Sequence, residues 1–469
     1  MKKTILLLCF LANVMLFAQD GSIDPNYNIG TGFDSTVFGS ALTSSGKIVA
    51  VGNFLSYNGA TANKICRLNT DGTIDTTFNT GGSGASTGSS DFIFAITPLA
   101  NGKFYIGGTF TTYNGVARNS IALINADGSL DASFNPPAVL SSSSTVYKIL
   151  IQNDGKILAV GPINIAQPTN SGAIRFNTDG SVDATFNIGT GFDNTVGDVV
   201  ELPGGKLLFG GSFGSYKGIA LTRPFMLLLS STGAVDTSFA LTGSPDGPVN
   251  LVRLQSTGKI VVGGTFTTIN GISGRLRRLN SDGTTDTSFN PGTGANNLLR
   301  LIKVVAADKM YIGGLFTTVE GTSRPRIARL NADGSLDTTF EPGTGLGADA
   351  RSAEIQSDAK IVLFGSFTTY QGTAKNRIVR VGDISLANKN SIVDAVVSFY
   401  PNPVSNVLNI DLQTSASVEI IDALGKTIIT NALQLGTNQL NTGALTAGLY
   451  FAKITATDNQ SKTIKFIKQ

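Results

Sequence analysis

The chain has 469 residues, of which 41% are hydrophobic and only 14% charged, with a formal net charge of +3 and no histidine. That length suits two or three domains with a large core, and a charge so near balance argues against a nucleic-acid partner, which demands a basic excess. The absence of histidine excludes Ser-His-Asp and Cys-His catalysis, His-based zinc sites and haem held through His, leaving mainly carboxylate, Tyr or Lys chemistry for an enzyme.

Residues 1–19 read as a secretory signal peptide. Lys2 and Lys3 form a positive start, residues 5–17 are apolar apart from Asn13, and Ala18-Gln19 offers a cleavage point. The stretch is too short for a membrane-spanning helix. Leu8 before Cys9 is not small, so lipid attachment at Cys9 is not expected. Removal of the segment takes Lys2, Lys3 and Cys9 with it, lowering the net charge to +1 and leaving Cys66 as the lone cysteine. The exported chain then has no internal disulfide, and its stability must come from burial and sheet closure. No later run approaches the length of a membrane span, so no transmembrane segment is expected in the mature chain.

From residue 20 the chain repeats. One anchor begins Gly46-Lys47-Ile48-Val49-Ala50-Val51-Gly52-Asn53-Phe54, and its frame restarts at Gly102, Gly155, Gly205, Gly258, Asp308 and Ala359. Its second position is always Lys, as in Lys47, and its seventh always Gly, as in Gly52. Its ninth is Phe, as in Phe54, except for Ile163 in the third copy. A second anchor, Asp-Gly-x-x-Asp-x-x-Phe-Asn, is seen at 71–79. Its inner Asp recurs as Asp24, Asp75, Asp131, Asp183, Asp236, Asp286 and Asp337, and its aromatic as Tyr27, Phe78, Phe134, Phe186, Phe239, Phe289 and Phe340. The mature chain opens on the second anchor and ends its repeats on the first, so the two sets of seven are offset by one. A ring explains that offset, because the N-terminal strand can complete the last sheet and remove the exposed edges. Each repeat reads as four short strands, in the first copy around 37–42, 47–54, 64–69 and 73–79, with hairpin signals at Ser45-Gly46 and Asp71-Gly72. The second strand is apolar on both faces, which suits a blade sandwiched between two others. The predicted fold is all-β: a seven-bladed β-propeller over 20–382, closed by the N-terminal strand.

The pattern Gly-Lys-Ile-x-x-x-Gly-x-Phe followed by Arg-Leu-Asn-x-Asp-Gly-Ser-x-Asp-x-x-Phe-Asn resembles the delta-60 repeat family of bacterial β-propellers over residues 20–382. Copies three and four depart from it through Ile163 and Thr232-Gly233. The resemblance implies the propeller fold and no established activity.

Residues 383–395 read as a linker. Over 396–469 the pattern changes to many short strands, with Leu408, Ile410 and Leu412 alternating with Asn409 and Asp411, as in a small β-sandwich. This segment resembles the type A C-terminal sorting domain of type IX secretion. The residues that carry the likeness are Tyr400-Pro401-Asn402-Pro403, Gly448-Leu449-Tyr450 and the basic end with Lys468. The resemblance implies contact with the secretion machinery, export through the periplasm to the outer-membrane surface or the medium, and removal of the domain by a surface peptidase. The plainer alternative is an accessory sandwich that merely binds something.

Seven Lys and seven Asp at fixed positions are expected to share one face. Sevenfold repetition points to blade building, with Asp bonding turn amides and Lys lying over the sheet edge, rather than to a ligand-gripping collar. Tyr57, Tyr113, Tyr216 and Tyr370 occupy matching loop positions, with Ala166, Ile269 and Val319 at the others. They form a possible ligand face that stacks on sugars, although the alternation with aliphatics favours packing. The Gly/Ser-rich loop at 80–91 is where variable function could sit. The Asp-Gly turns lack the further acids of a calcium loop. Glu201, Glu320, Glu341, Glu354 and Glu419 offer no marked catalytic pair. The expectation is a monomeric, non-catalytic glycan- or protein-binding module with no cofactor and no metal. The alternatives are a carboxylate-based polysaccharide hydrolase or lyase, or a structural surface-layer component.

Overall fold

The computed structural model describes residues 20–382 and 396–469, except 87, 89, 138–139, 165–171, 413–414, 424 and 457–460. The signal-peptide and linker readings, and Ala166, lie outside the described residues.

The described chain is β-structure apart from one 3-10 turn at Ala306–Asp308. The repeats form seven three-stranded antiparallel sheets. In the first, Val37–Leu42 is the inner strand, Ile48–Gly52 the middle and Ile65–Leu68 the outer. Every residue of that middle strand is buried, because both its faces meet another sheet. Ile48 and Ala50 share a core with Val362, Phe364 and Ile378 of the seventh sheet. Val49 and Val51 share one with Phe104 and Ile106 of the second. Each such Val, Ile or Phe side chain contributes roughly 1.5–3 kcal/mol by leaving water, and the pattern recurs from sheet to sheet. The inner strands also touch in order, and Val37–Leu42 meets both Ile93–Pro98 of the second sheet and Ala350–Ile355 of the seventh.

The repeat glycine sits opposite the start of each inner strand, where six of the seven carry a bulge. Register slips between Val37 and Gly39 opposite Gly52, and a Cβ on Gly52 would lie 2.2 Å from the Thr36 carbonyl oxygen. Gly is needed because backbone closes on backbone.

The predicted fourth strand is a correction. Residues 73–79 pair with the sheet only at Ile74, which bridges Leu68. Immediately afterwards Asp75 Oδ1 accepts from the Thr77 amide (3.0 Å) and hydroxyl (2.6 Å), while the Phe78 amide donates to the Asp75 carbonyl (3.2 Å). That turn ends the ladder after one rung. The equivalent rung of the seventh sheet comes from the start of the repeats, where Ile23 bridges Val381. There the Asp24 amide donates to the Arg380 carbonyl and the Gly382 amide to that of Ser22, both at 2.9 Å.

Residues 396–469 form a three-stranded sheet (Val396–Tyr400, Val407–Leu412, Gly436–Asn441) and a four-stranded one (Thr427–Leu433, Ala416–Asp422, Gly448–Ala456, Ser461–Lys468). The alternating Leu408, Ile410 and Leu412 point into an apolar core shared with Val418, Ile420 and Ile454 of the second sheet. Among the described residues no helix is long and apolar enough to cross a membrane.

Candidate functional site

The seven Lys and seven Asp meet in pairs. Lys47 Nζ donates to Asp75 Oδ2 at 2.7 Å, and Lys156–Asp183, Lys206–Asp236 and Lys309–Asp337 close to 2.6–2.8 Å. Lys259–Asp286 is looser at 3.4 Å, and Lys103 pairs with Asp131. The seventh pair joins the two ends of the repeats, Lys360 to Asp24 at 2.9 Å.

Five of these aspartates hold an arginine as well, which the sequence motif contained without revealing its partner. Arg67 Nε donates to Asp75, Arg175 to Asp183, Arg278 to Asp286 and Arg329 to Asp337, while Arg380 Nη2 pairs with Asp24 by charge at 2.7 Å. Each guanidinium lies over the aromatic of its own anchor, as Arg67 does over Phe78 at 4.9 Å and Arg380 over Tyr27 at 4.5 Å. Four of them then reach forward to the next sheet's turn: Arg67 to the Ala126 carbonyl, Arg175 to Ser231, Arg278 to Ala332 and Arg380 to Thr70. Burial alone would raise the Asp75 carboxyl, but donation from Lys47, Thr77 and Arg67 holds it well below the carboxylate range. The Lys103 hydrogen bond draws Asp131 to about 2, and those from Lys206 and Ser238 draw Asp236 to about 2.

The tyrosines do not form an exposed rim. Tyr57, Tyr113, Tyr216 and Tyr370 are 1%, 0%, 2% and 0% exposed. Their hydroxyls donate at 2.6 Å to the carbonyls of Gly72, Gly128, Gly233 and Gly21. The contact runs to the Asp-Gly turns and leaves the rings buried, so no sugar can stack there. Ile269 and Val319 at matching positions are buried too.

In the C-terminal segment the quoted residues converge on the last strand. The Asn402 side chain accepts from the Ile467 amide (3.0 Å) and donates to the Lys465 carbonyl (3.1 Å). Leu449 pairs with Ile467 and Gly448 with Lys468, and Tyr450 stacks on Phe466 with centroids 5.7 Å apart. Lys468 is buried, whereas Tyr400 is 46% exposed. Pro401 and Pro403 follow cis peptide bonds.

What sequence reading missed lies between the inner strands. Near the N-terminal end of each inner strand, one repeat position is occupied in turn by Phe38, Phe94, Tyr147, Gly197, Asn250, Arg300 and Arg351. This level breaks the sevenfold pattern. The aromatics fall on three successive sheets, with Phe38 and Phe94 centroids 4.7 Å apart and Phe94 and Tyr147 5.2 Å apart. Arg351 lies over Phe38 at 5.1 Å. Arg300 and Arg351 both form ion pairs with Asp349, their Nε atoms lying 3.1 and 2.9 Å from Oδ2. A cleft of about 440 Å³ opens among these groups. Deeper in, a cavity of about 280 Å³ meets Lys148, Arg253, Lys303 and Glu354. Lys303 pairs with Glu354 at 2.9 Å, and Arg253 with the buried Asp198. Burial lowers the Lys148 ammonium pKa, and Arg253 and Lys303 lower it further against the pull of Asp198. Irregularity at an otherwise repeating position was the signal available in the sequence. No group of three or more acidic or Cys side chains able to hold a metal occurs among the described residues.

Two family models match the chain. The domain of unknown function (DUF5122) beta-propeller matches 43–78, 99–134, 152–186, 255–289 and 307–340, and the secretion system C-terminal sorting domain matches 398–469. The protein is thus an all-β chain of propeller repeats. It carries DUF5122 repeats and a C-terminal sorting domain of type IX secretion, which directs export to the cell surface or the extracellular space. None of the curated proteins matches it. Among solved structures it is similar to PorZ, a bacterial surface component of the type IX secretion system of Porphyromonas gingivalis. That match has TM-score 0.44 and 14% identity, covering 93% of this chain and 60% of that one. It is also similar to the extracellular domain of a proposed one-component system of B. thetaiotaomicron, with TM-score 0.45 and 12% identity, covering 96% and 58%. The chain spans about three fifths of the length of each of these structures.

Proposed function

We propose that, after removal of a signal peptide over 1–19, residues 20–382 form one seven-bladed propeller closed by its N-terminal segment. It is joined through 383–395 to the sorting domain at 396–469. The exported propeller is a non-catalytic binding module that engages a glycan or a surface protein at the cleft between its inner strands. The repeating Lys47, Gly52, Phe54, Asp75 and Phe78 and their equivalents build blades. Tyr400, Pro401, Asn402, Pro403, Gly448, Leu449, Tyr450 and Lys468 serve recognition by the secretion machinery.

One observation carries the binding reading: Phe38, Phe94 and Tyr147 against Arg300 and Arg351 at a position that a purely structural ring would fill alike. Aromatic rings with a few convergent polar groups around a cleft are the usual make-up of a ligand site. The experiment is a glycan array and surface-protein capture with the full chain, followed by assay of the captured glycan for cleavage. Binding without turnover that Tyr147→Ala weakens about tenfold, the loss of one stacking ring, supports the reading. Cleavage abolished by Glu354→Gln establishes a hydrolase or lyase instead.

A further inference from the structure

We infer that the cleft takes the carboxylate-bearing end of an acidic glycan, a chain of uronate-type sugars; this rests on the binding reading above.

The arginine pair is built to receive an anion. Both guanidiniums bring Nε within ion-pair distance of the same Asp349 oxygen without closing a hydrogen bond to it. Asp349 is itself buried and accepts from the Ser366 hydroxyl, so the carboxylate that attracts both guanidiniums is fixed in place. Among the described residues no hydrogen bond engages a terminal Nη nitrogen of either arginine. A planar fork with free N–H groups matches a carboxylate in two-point geometry. Charge agrees: two guanidiniums share one carboxylate at the mouth. Further in, Arg253 is matched by Asp198 and Lys303 by Glu354, while Lys148 forms no ion pair among the described residues. The cavity is cationic inside a chain whose overall charge is almost balanced, and a low-dielectric wall concentrates that field on an entering anion.

The rest of the lining favours a sugar over a peptide end. Phe38, Phe94 and Tyr147 offer apolar ring surface for the C–H faces of a pyranose. The half-buried Thr195, Asn250 and Thr265 stand across the same cleft as partners for its hydroxyls. The cleft volume of about 440 Å³ lies within the range of small-molecule sites, roughly 300–1,000 Å³. That suits the end of a chain held in the mouth.

The test is calorimetric titration of the full chain with trimers of galacturonate, glucuronate and mannuronate, each beside its neutral methyl ester. At least one acid is expected to bind, with esterification and Arg300→Gln each weakening it roughly tenfold to a hundredfold, the worth of a charge-assisted hydrogen bond. Arg300 is exposed, so an unchanged melting temperature keeps the variant informative. If ester and acid bind alike, and Tyr147→Ala but not Arg300→Gln weakens both, the acidic specificity is overturned while the cleft stays a glycan site. If a peptide with a free C-terminal carboxylate binds through Arg300 and no sugar does, the glycan is overturned and the arginine site kept. If nothing binds at the cleft, both readings fall.

Discussion

Lys360 and Asp24 meet at 2.9 Å although almost the whole repeat array separates them. The pair reproduces the Lys47–Asp75 contact made inside the first sheet. Asp24 also receives Arg380, as Asp75 receives Arg67. If the N-terminal segment is an integral part of the last sheet, Asp24→Ala and Asp75→Ala should cost alike, about 3 kcal/mol each, since each leaves two cations without the buried acid they share. Denaturant titration of the two variants checks this. An Asp24→Ala cost below about 0.5 kcal/mol, as for an ordinary surface position, would count against it.

Acid should unfold the repeats over a defined window. The paired aspartates have folded pKa values below the ordinary aspartate value, with Asp131, Asp236 and Asp286 at about 2. A lowered folded pKa supplies stability that is present above the unfolded value and is lost as pH falls through the folded one. The melting temperature is therefore expected to hold down to about pH 4 and to drop steeply between pH 4 and 2. Asp131→Asn, by removing one such group, should make the drop shallower.

Gly52→Ala would put a methyl group 2.2 Å from the Thr36 carbonyl oxygen, and neither backbone can yield without breaking the bulge. The expected loss is about 3 kcal/mol, at the upper end for overpacking. Gly59, whose added Cβ meets nothing within 4 Å, is the control for left-handed backbone strain alone, expected at about 1 kcal/mol.

The opposite change should stabilise. Ala359 occupies the turn position held by Gly46 in the first repeat and has φ of 62°, a left-handed conformation costly for a residue with a Cβ. Ala359→Gly is expected to gain about 0.5 kcal/mol after the entropy that glycine loses on folding. A melting curve settles the sign.

Tyr57→Phe removes a hydroxyl that donates to the Gly72 carbonyl and leaves that acceptor unpaired in a buried place. A loss of about 1–2 kcal/mol is expected, with ligand affinity untouched. A binding defect at unchanged stability would restore these tyrosines to a ligand face.

The repeat was legible because each anchor residue has the same local task in every copy. Lys47, Asp75 and Gly52 recur because each sheet needs one ion pair and one close approach of backbone to backbone. The Asp71-Gly72 turn announces a returning strand, but the fourth strand stops short because the Asp75 carboxylate binds the amide two residues on and turns the chain. Tyr57 was ambiguous because a loop tyrosine reads the same whether its ring faces water or folds back over its own sheet. The inner-strand site stayed hidden because Phe38, Tyr147, Arg300 and Arg351 are scattered along the chain and converge only when the inner strands are set side by side.

Ile23 and Val381 give the most direct measurement of ring closure. The bonds flanking this bridge make it a non-hydrogen-bonded antiparallel pair, whose Cα atoms stand about 4.5 Å apart, within disulfide range. Cysteines at Ile23→Cys and Val381→Cys, with Cys66 buried out of reach, should cross-link under mild oxidation, shift mobility on a non-reducing gel and raise the melting temperature. Thiols that stay free, or that bridge only between molecules, would contradict closure of the repeats by their own N-terminal segment.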